Sequence, residues 1–492
     1  MFMGKQKKIP IELEKKMMSL DDIPFLNTNN MQYLLPKSVM CIKNENEFEY
    51  RYDIEVVCPK LVQIIKDNEY FRFVKDSNLG NITLYMYKNG YYQNVTENEF
   101  KGMIRKWIPS LIQKSKDIDE IYKLLLMDDS FYVDNDYLNS DANCINFKNG
   151  ILNLDTMELS PHTPDKMFTI QIPINYVPIE KCTKGEVFEK YLGELVDDDE
   201  IMKECLLEAM GLAMSNIPGY LTKKSILMIG PKDCGKTQIK KLLTCLIGVK
   251  YTSSIELSKM NDSRFGTSEL YNKRLVGSND MQYTTVSDMG IFKQLVGGDP
   301  ISIEFKGRGA FSYIFNGVVW FLANDFPKFS GKKEDAIYQR FMIIPCNHVV
   351  EKDKQDPYLV DKMLKEGEYI VSLCIQSLLK LRERKFKFVE SEKMKMGLDR
   401  YVVVNNTLLE FVEECCDIDD TLLATEKVSV KSFKLNYQIW CRDSGIKPIG
   451  LKNKEIEDYL KPRYGTEIKK YDGYYRLSNI KIKDEMMSSY SD

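Results

Sequence analysis

Histidine is nearly absent from this 492-residue chain: His162 and His348 are the only two, and none of the twelve cysteines forms a Cys-x-x-Cys pair. Zinc sites draw on clustered Cys and His, so a zinc centre of that kind is not expected. Each histidine stands alone and reads as a structural residue. No apolar run reaches the roughly 20 residues needed to cross a bilayer, so no membrane role is expected. The start of the chain carries no apolar signal core. Reduced thiols in a cytoplasmic protein are therefore expected. A net charge of −3 supplies no global basic field, so any nucleic-acid signal must be local. Internal repeats and long low-complexity tracts are also missing, which excludes solenoids and fibrous arrays.

What is present centres on Gly230-Pro231-Lys232-Asp233-Cys234-Gly235-Lys236-Thr237, which fits G-x-x-x-x-G-K-[ST]. Residues 225–229 before it read as a buried strand, and 238–247 after it as a helix stopped by Gly248. Glycines let backbone N–H groups close around a phosphate chain, and the new helix directs its positive end there. In that role Lys236 reaches the β- and γ-phosphates of ATP, and the Thr237 hydroxyl binds Mg²⁺. A glycine turn that merely starts a helix does not explain Lys and Thr directly after the second glycine.

The rest of the chain reads as α/β and multidomain. Residues 1–65 form a small segment of unknown role, basic over 5–16 and polar over 27–30. Residues 66–180 form a mixed α+β region with a hairpin at Asn89-Gly90, another Asn-Gly turn at Asn149-Gly150, and proline punctuation from Pro161 to Pro178. Residues 185–221 read as a helical collar, continuous from 188 to 214. Its run Asp197-Asp198-Asp199-Glu200 is read as a solvated helix cap rather than a metal site. Residues 222–350 form the nucleotide-binding domain, 351–400 a helical connector, 408–483 a compact terminal unit, and 484–492 a frayed tail.

A phosphate-loop ATPase also needs a strand ending in an acid. Asp280, after 275–279, fits that place; the alternative is a turn residue. Residues 301–305 alternate as a strand, followed by the basic tip Lys306-Gly307-Arg308-Gly309. Two cations at a hairpin tip suit a phosphate grip, or simply a solvated turn. The apolar run 318–323 ends in Asn324, at the strand edge where open α/β sheets bind ligands. Arg340, sixteen residues on, suits an arginine finger on a neighbouring subunit's nucleotide, or an ordinary salt bridge.

In this order, GPKDCGKT, KRLVGSND, GGDPISIEFKGRG, VVWFLANDFPKF and AIYQRFMIIP resemble the motifs of superfamily 3 helicases. They look most like the phage, plasmid and pathogenicity-island primase–helicase type, related to poxvirus-type NTPases. INFKNGILNLDTMELSPHTPDK resembles the domain that precedes the ATPase there. The resemblance implies a central AAA+ ATPase, a hexameric ring and 3′ to 5′ movement on single-stranded DNA. It makes Lys236 and Thr237 Walker A residues, Asp280 Walker B, Asn324 sensor 1 and Arg340 the finger. It places Lys306 and Arg308 on a DNA-binding pore hairpin. Asn279 and Gln282 stand where relatives often carry acids, so a second metal ligand is not evident. No convincing Asp-x-Asp plus His set stands out, so primer synthesis is not expected, and a separately encoded primase is a compatible partner.

Residues 427–483 hold 14 Lys/Arg against 6 Asp/Glu, a local charge of +8. That asymmetry suits a nucleic-acid-binding module, with a basic protein-contacting domain as the alternative. Helices over 430–442 and 452–460, then a hairpin closed at Asp472-Gly473, suggest a winged helix. Lys452, Asn453 and Lys454 would then enter the major groove of duplex origin DNA, with Lys469, Lys470 and Arg476 on phosphates. The expected function is an ATP-dependent DNA helicase and replication initiator. The alternative is an origin-binding scaffold whose ATPase controls assembly and recruits a separate helicase or primase.

Overall fold

The computed structural model describes residues 13–16, 31–44, 47–76, 80–262, 266–281, 285–286, 289–307, 309–329, 335–445, 448 and 450–483. Most of the basic N-terminal segment, the polar stretch 27–30, Gln282, Arg308 and the tail 484–492 lie outside them. The chain divides into two compact units, Met1–Tyr176 and Val177–Asp492.

In the first unit a four-stranded sheet pairs Tyr91–Val95, Asn81–Lys88, Phe71–Asp76 and Tyr132–Asp134 in that order. Asn89 and Gly90, both at positive φ, close the first hairpin, as a two-residue turn of this type requires. Phe71, Phe73, Leu84 and Met86 pack on Leu61, Ile65, Phe100, Ile104 and Leu125 from three helices. Helix Glu97–Lys106 starts at a capping box between Thr96 and Glu99. A domain break after residue 65 is not what the structure shows. Tyr33, Leu34, Ile54 and Val56 belong to the same core, because helix Cys58–Asn68 bridges them to the sheet.

The second unit is built on five parallel strands: β1 (Ser225–Ile229), β2 (Thr252–Ser253), β3 (Leu275–Val276), β4 (Val318–Ala323) and β5 (Phe341–Pro345). Their order is β2-β3-β4-β1-β5. After β1 the chain passes through helix α1 (Lys236–Ile247) to the far edge, returns through β3 and β4, and crosses to β5. The strand order reverses at β1, and sheets of this kind bind ligands at the carboxyl edge there. Every residue of β1 and β4 is buried, which explains their unbroken apolar sequences. Phe292, Phe321 and Phe341 are fully buried beside the sheet, each contributing on the order of 2–3 kcal/mol.

The single helix expected over 188–214 is two helices, Glu186–Leu195 and Glu200–Met214. Asp197 and Asp198 take left-handed φ between them, a conformation aspartate tolerates. Asp199 caps the second helix, its carboxylate accepting from Ile201 and Met202 N–H at 3.1 and 3.0 Å. The acid run is thus a helix cap, with Lys203 paired to Asp198 and Glu200.

The terminal unit holds helices Thr407–Cys415, Val430–Asp443 and Asn453–Tyr464 around Phe411, Phe433, Trp440, Leu460 and Leu477. Strand Cys416–Ile418 pairs with Ile480–Ile482. The hairpin Ile468–Tyr471 with Tyr474–Leu477 turns on Asp472 and Gly473, both at positive φ.

Arg274, just before β3, is buried and ties this sheet to helix Glu200–Met214. Its Nη1 donates to Asn316 O at 3.1 Å, and Nη2 to Ile217 O at 3.2 Å, Leu212 O at 3.4 Å and Ser215 O. Burial brings its pKa down to about 10, so it stays charged at neutral pH, facing the negative end of that helix. Arg274→Ala should destabilise the chain by about 3 kcal/mol, the scale of a lost charged hydrogen-bond set. A fall of several degrees in thermal unfolding would check it.

Candidate functional site

The loop 230–235 leaves β1 at the carboxyl edge of the sheet. Gly230 N–H donates to Ala323 O at 3.3 Å, and Cys346 N–H to Ile229 O at 2.7 Å. Cys346 O passes so close to Gly230 that any Cβ there would collide with it. Asp233 and Gly235 take positive φ, and Val350 N–H binds Asp233 O at 3.0 Å. Among the described residues, no group accepts a hydrogen bond from the N–H of Cys234, Gly235, Lys236 or Thr237. Four free donors at the start of a twelve-residue helix form a cradle suited to an anion.

Lys236 is 7% exposed. Its ammonium donates to Gly230 O at 2.6 Å, Pro231 O at 2.8 Å and Cys234 Sγ at 3.2 Å, and reaches Asn324 Oδ1 at 3.5 Å. Asn324 Nδ2 in turn donates to Asp280 Oδ1 at 3.3 Å. The structure therefore joins Lys236, Asn324 and Asp280 in one hydrogen-bonded chain across the ends of β1, β4 and β3. Thr237, Asn324 and Asp280 are all exposed at this edge. Among the described residues no group of three or more His, Cys, Asp or Glu could hold a metal ion. One hydroxyl and one carboxylate do suit Mg²⁺, which keeps several waters and shares phosphate oxygens instead of filling a protein cage.

Arg340 lies elsewhere. Its carbonyl accepts from Ser225 N–H at 2.7 Å and Ser225 Oγ at 3.0 Å, at the starts of β1 and β5. That is the opposite edge of the sheet, roughly 16 Å from the loop along a five-residue strand. The chain does not bring Arg340 to its own loop 230–235.

The basic tip is held by strands Ile301–Ile303 and Phe311–Tyr313. Phe305 stacks on Phe311, with Tyr271 edge-on to both. Lys306 is exposed beyond this aromatic root, and Arg308 lies outside the described residues. In the terminal unit Lys452, Asn453, Lys454, Lys469 and Lys470 are exposed. Lys434 Nζ binds Asn453 Oδ1 at 2.9 Å, Lys469 pairs with Glu467, and Arg476 Nη1 turns inward to Lys427 O at 2.5 Å.

Three groups at the site escaped the sequence reading. Tyr191 is buried, and its hydroxyl donates to Gly235 O at 3.0 Å; burial pushes its pKa well up and keeps it a donor. No motif marks it, 44 residues ahead of Gly235. Lys240 is buried one turn after Lys236; burial lowers its pKa to about 7, while the three backbone carbonyls around its Nζ favour the protonated form. Its position on the stripe of Ile239 and Leu243 was the available signal. The segment 346–350 wraps the loop without any recognisable pattern.

Residues 47–197 match the family model described as D5 N terminal like, and residues 228–340 match a family of unknown function, DUF5906. A comparison with curated proteins finds no match. Among solved structures, the A form apo structure of the NrS-1 C-terminal region is 14% identical, with a TM-score of 0.46, covering 85% of this chain and 97% of that one. A further apo structure of that region gives 14% and 0.43, covering 85% and 97%. No helix among the described residues is long and apolar enough to cross a membrane.

Tyr191→Phe removes a buried hydroxyl bond and should cost about 1 kcal/mol. The expected readouts are a small fall in melting temperature and weaker binding of a fluorescent ATP analogue. Unchanged affinity would show that the loop does not need this prop.

Proposed function

We propose that this chain is an ATP-dependent DNA helicase and replication initiator of a mobile genetic element, acting as a ring in the host cytoplasm. The observation that carries this reading is the Lys236–Asn324–Asp280 chain beneath four free N–H donors. Mg²⁺·ATP, when bound, supplies the phosphoanhydride whose cleavage drives movement. The loop N–H groups of residues 234–237 bind its phosphates, and Lys236 exchanges the carbonyls of Gly230 and Pro231 for phosphate oxygens. Thr237 and Asp280 hold the metal side. Asn324, between lysine and acid, orients the attacking water and registers the loss of the last phosphate.

The fold supports an AAA+ ATPase through the order β2-β3-β4-β1-β5, which sets β4 with Asn324 between the loop strand and the acid strand. Arg340 on the opposite edge is read as a finger acting in trans, on the nucleotide of the next subunit. Lys306, outside the aromatic root of its hairpin, grips a single strand. The terminal unit is read as a winged helix that holds duplex origin DNA. Lys452, Asn453 and Lys454 start its third helix, and Lys469 and Lys470 lie on the wing. The inward turn of Arg476 assigns it to the wing's base rather than to phosphate.

Three outcomes are expected. Lys236→Ala should abolish ATP hydrolysis and strand separation on a forked duplex while duplex binding persists; hydrolysis and binding lost together would contradict this division. Mixed Lys236→Ala and Arg340→Ala subunits should recover part of the ATPase rate, and no recovery at any ratio would refute a finger in trans. Lys469→Ala with Lys470→Ala should lower the slope of log affinity against log salt by about 1.8 for duplex DNA, at about 0.9 per phosphate contact. An unchanged slope would remove both from the interface. A protein that hydrolyses ATP and binds origin DNA, yet leaves the fork paired, would be the scaffold instead.

A further inference from the structure

We propose that Lys240 is a positioning residue for Asp280, holding a bulge at the end of β3 that aims the carboxylate toward the phosphate loop. The inference rests on the reading of Asp280 as the acid on the metal side.

Between β3 and β4 the parallel ladder pairs Leu275 with Val318 and Val276 with Val319. It resumes where Met281 meets Ala323. From 276 to 281 is five steps and from 319 to 323 is four, so the acid-bearing strand carries one extra residue. Gly277 sits in this gap at φ +130°, where a Cβ would collide with Trp320 O. Leu322 N–H reaches Ser278 O at 3.0 Å, and Met281 N–H reaches Leu322 O at 2.8 Å. Among the described residues, no N–H of residues 277–280 reaches Trp320 O.

Lys240 fills that vacancy in the ladder. Its Nζ donates to Trp320 O at 2.8 Å, Ser278 O at 3.3 Å and Gly277 O. Three carbonyls take the whole donor capacity of one ammonium. Lys240 is 4% exposed, and every partner is a backbone oxygen. Burying a cation without a carboxylate is costly, and an aliphatic side chain would extend the Ile239 and Leu243 stripe without that cost. What the lysine secures is the path of residues 277–280. Along it Asp280 N–H meets Ser278 Oγ at 3.2 Å, and Asp280 Oδ1 meets Asn324 Nδ2. Bulges beside reaction sites re-aim side chains in this way. Because Lys240 follows Lys236 by one turn of α1, one helix carries both the phosphate-side lysine and the brace of the opposing acid.

The test uses the full chain with Lys240→Met and Lys240→Gln, the second keeping two donors without the charge. ATP hydrolysis is followed against Mg²⁺ concentration, binding of a fluorescent ATP analogue is measured in EDTA, and melting is recorded. In Lys240→Met the Mg²⁺ needed for half-maximal hydrolysis should rise about 10- to 100-fold, the usual effect of losing an outer-shell support. Lys240→Gln should show a smaller rise, and metal-free nucleotide binding should persist in both. If Lys240→Met does not fold, Lys240→Gln decides. A wild-type Mg²⁺ dependence in the folded variants, even with lowered melting temperature, would overturn the role of Lys240 alone. No hydrolysis by the unmodified chain would overturn the proposed function and this inference with it.

Discussion

The insertion of β4 between β1 and β3 is the constraint on which the site depends. Gly230 N–H bonds to Ala323 O, so the first residue of the loop 230–235 and the residue before Asn324 are fixed side by side. Lys236 is folded back onto the loop by the first turn of α1, and Asp280 is brought across by the bulged end of β3. Remove β4 and the lysine and acid share no common neighbour. The chemistry proposed for this edge follows from a ladder of backbone hydrogen bonds, on which three side chains are hung.

Cations in this protein fall into two populations. Lys236, Lys240 and Arg274 are buried, and the oxygens they touch are backbone carbonyls, apart from Asn324 Oδ1 at the end of Lys236. Each is strongly held in a low-dielectric setting and each fixes a strand end or a loop. Lys306, Lys452, Lys454 and Lys470 project into solvent on a hairpin tip, a helix start and a wing. These are the places where a long, mobile charge can follow a phosphate backbone. The overall charge of −3 hides this segregation.

The loop, its strand and its helix were legible because G-x-x-x-x-G-K-T sits between an apolar run and a 3.6-residue period. The turns at Asn89-Gly90 and Asp472-Gly473 were legible because few other pairs accept two positive φ values. Other features were not. The break at Asp197-Asp198 was concealed by good helix residues on both sides. Strand β3 is only two residues long, since Gly277 begins the bulge. The opposite-edge position of Arg340 follows from parallel register, which no local pattern encodes. Tyr191 and Lys240 act through tertiary contacts with backbone carbonyls, and a sequence shows the side chain but not the oxygen waiting for it. Arg476 is expected from its place on the wing to hold a phosphate, whereas packing turns it toward Lys427 O.

The most direct test is an experimental structure of the full chain with Mg²⁺ and a non-hydrolysable ATP analogue. The account predicts the triphosphate on the N–H groups of residues 234–237, with Lys236 released from Gly230 and Pro231 and turned to the terminal phosphate. Asn324 and Asp280 should face that phosphate and its metal. Phosphates bound elsewhere, or Lys236 still held by its loop carbonyls beside a bound nucleotide, would contradict it.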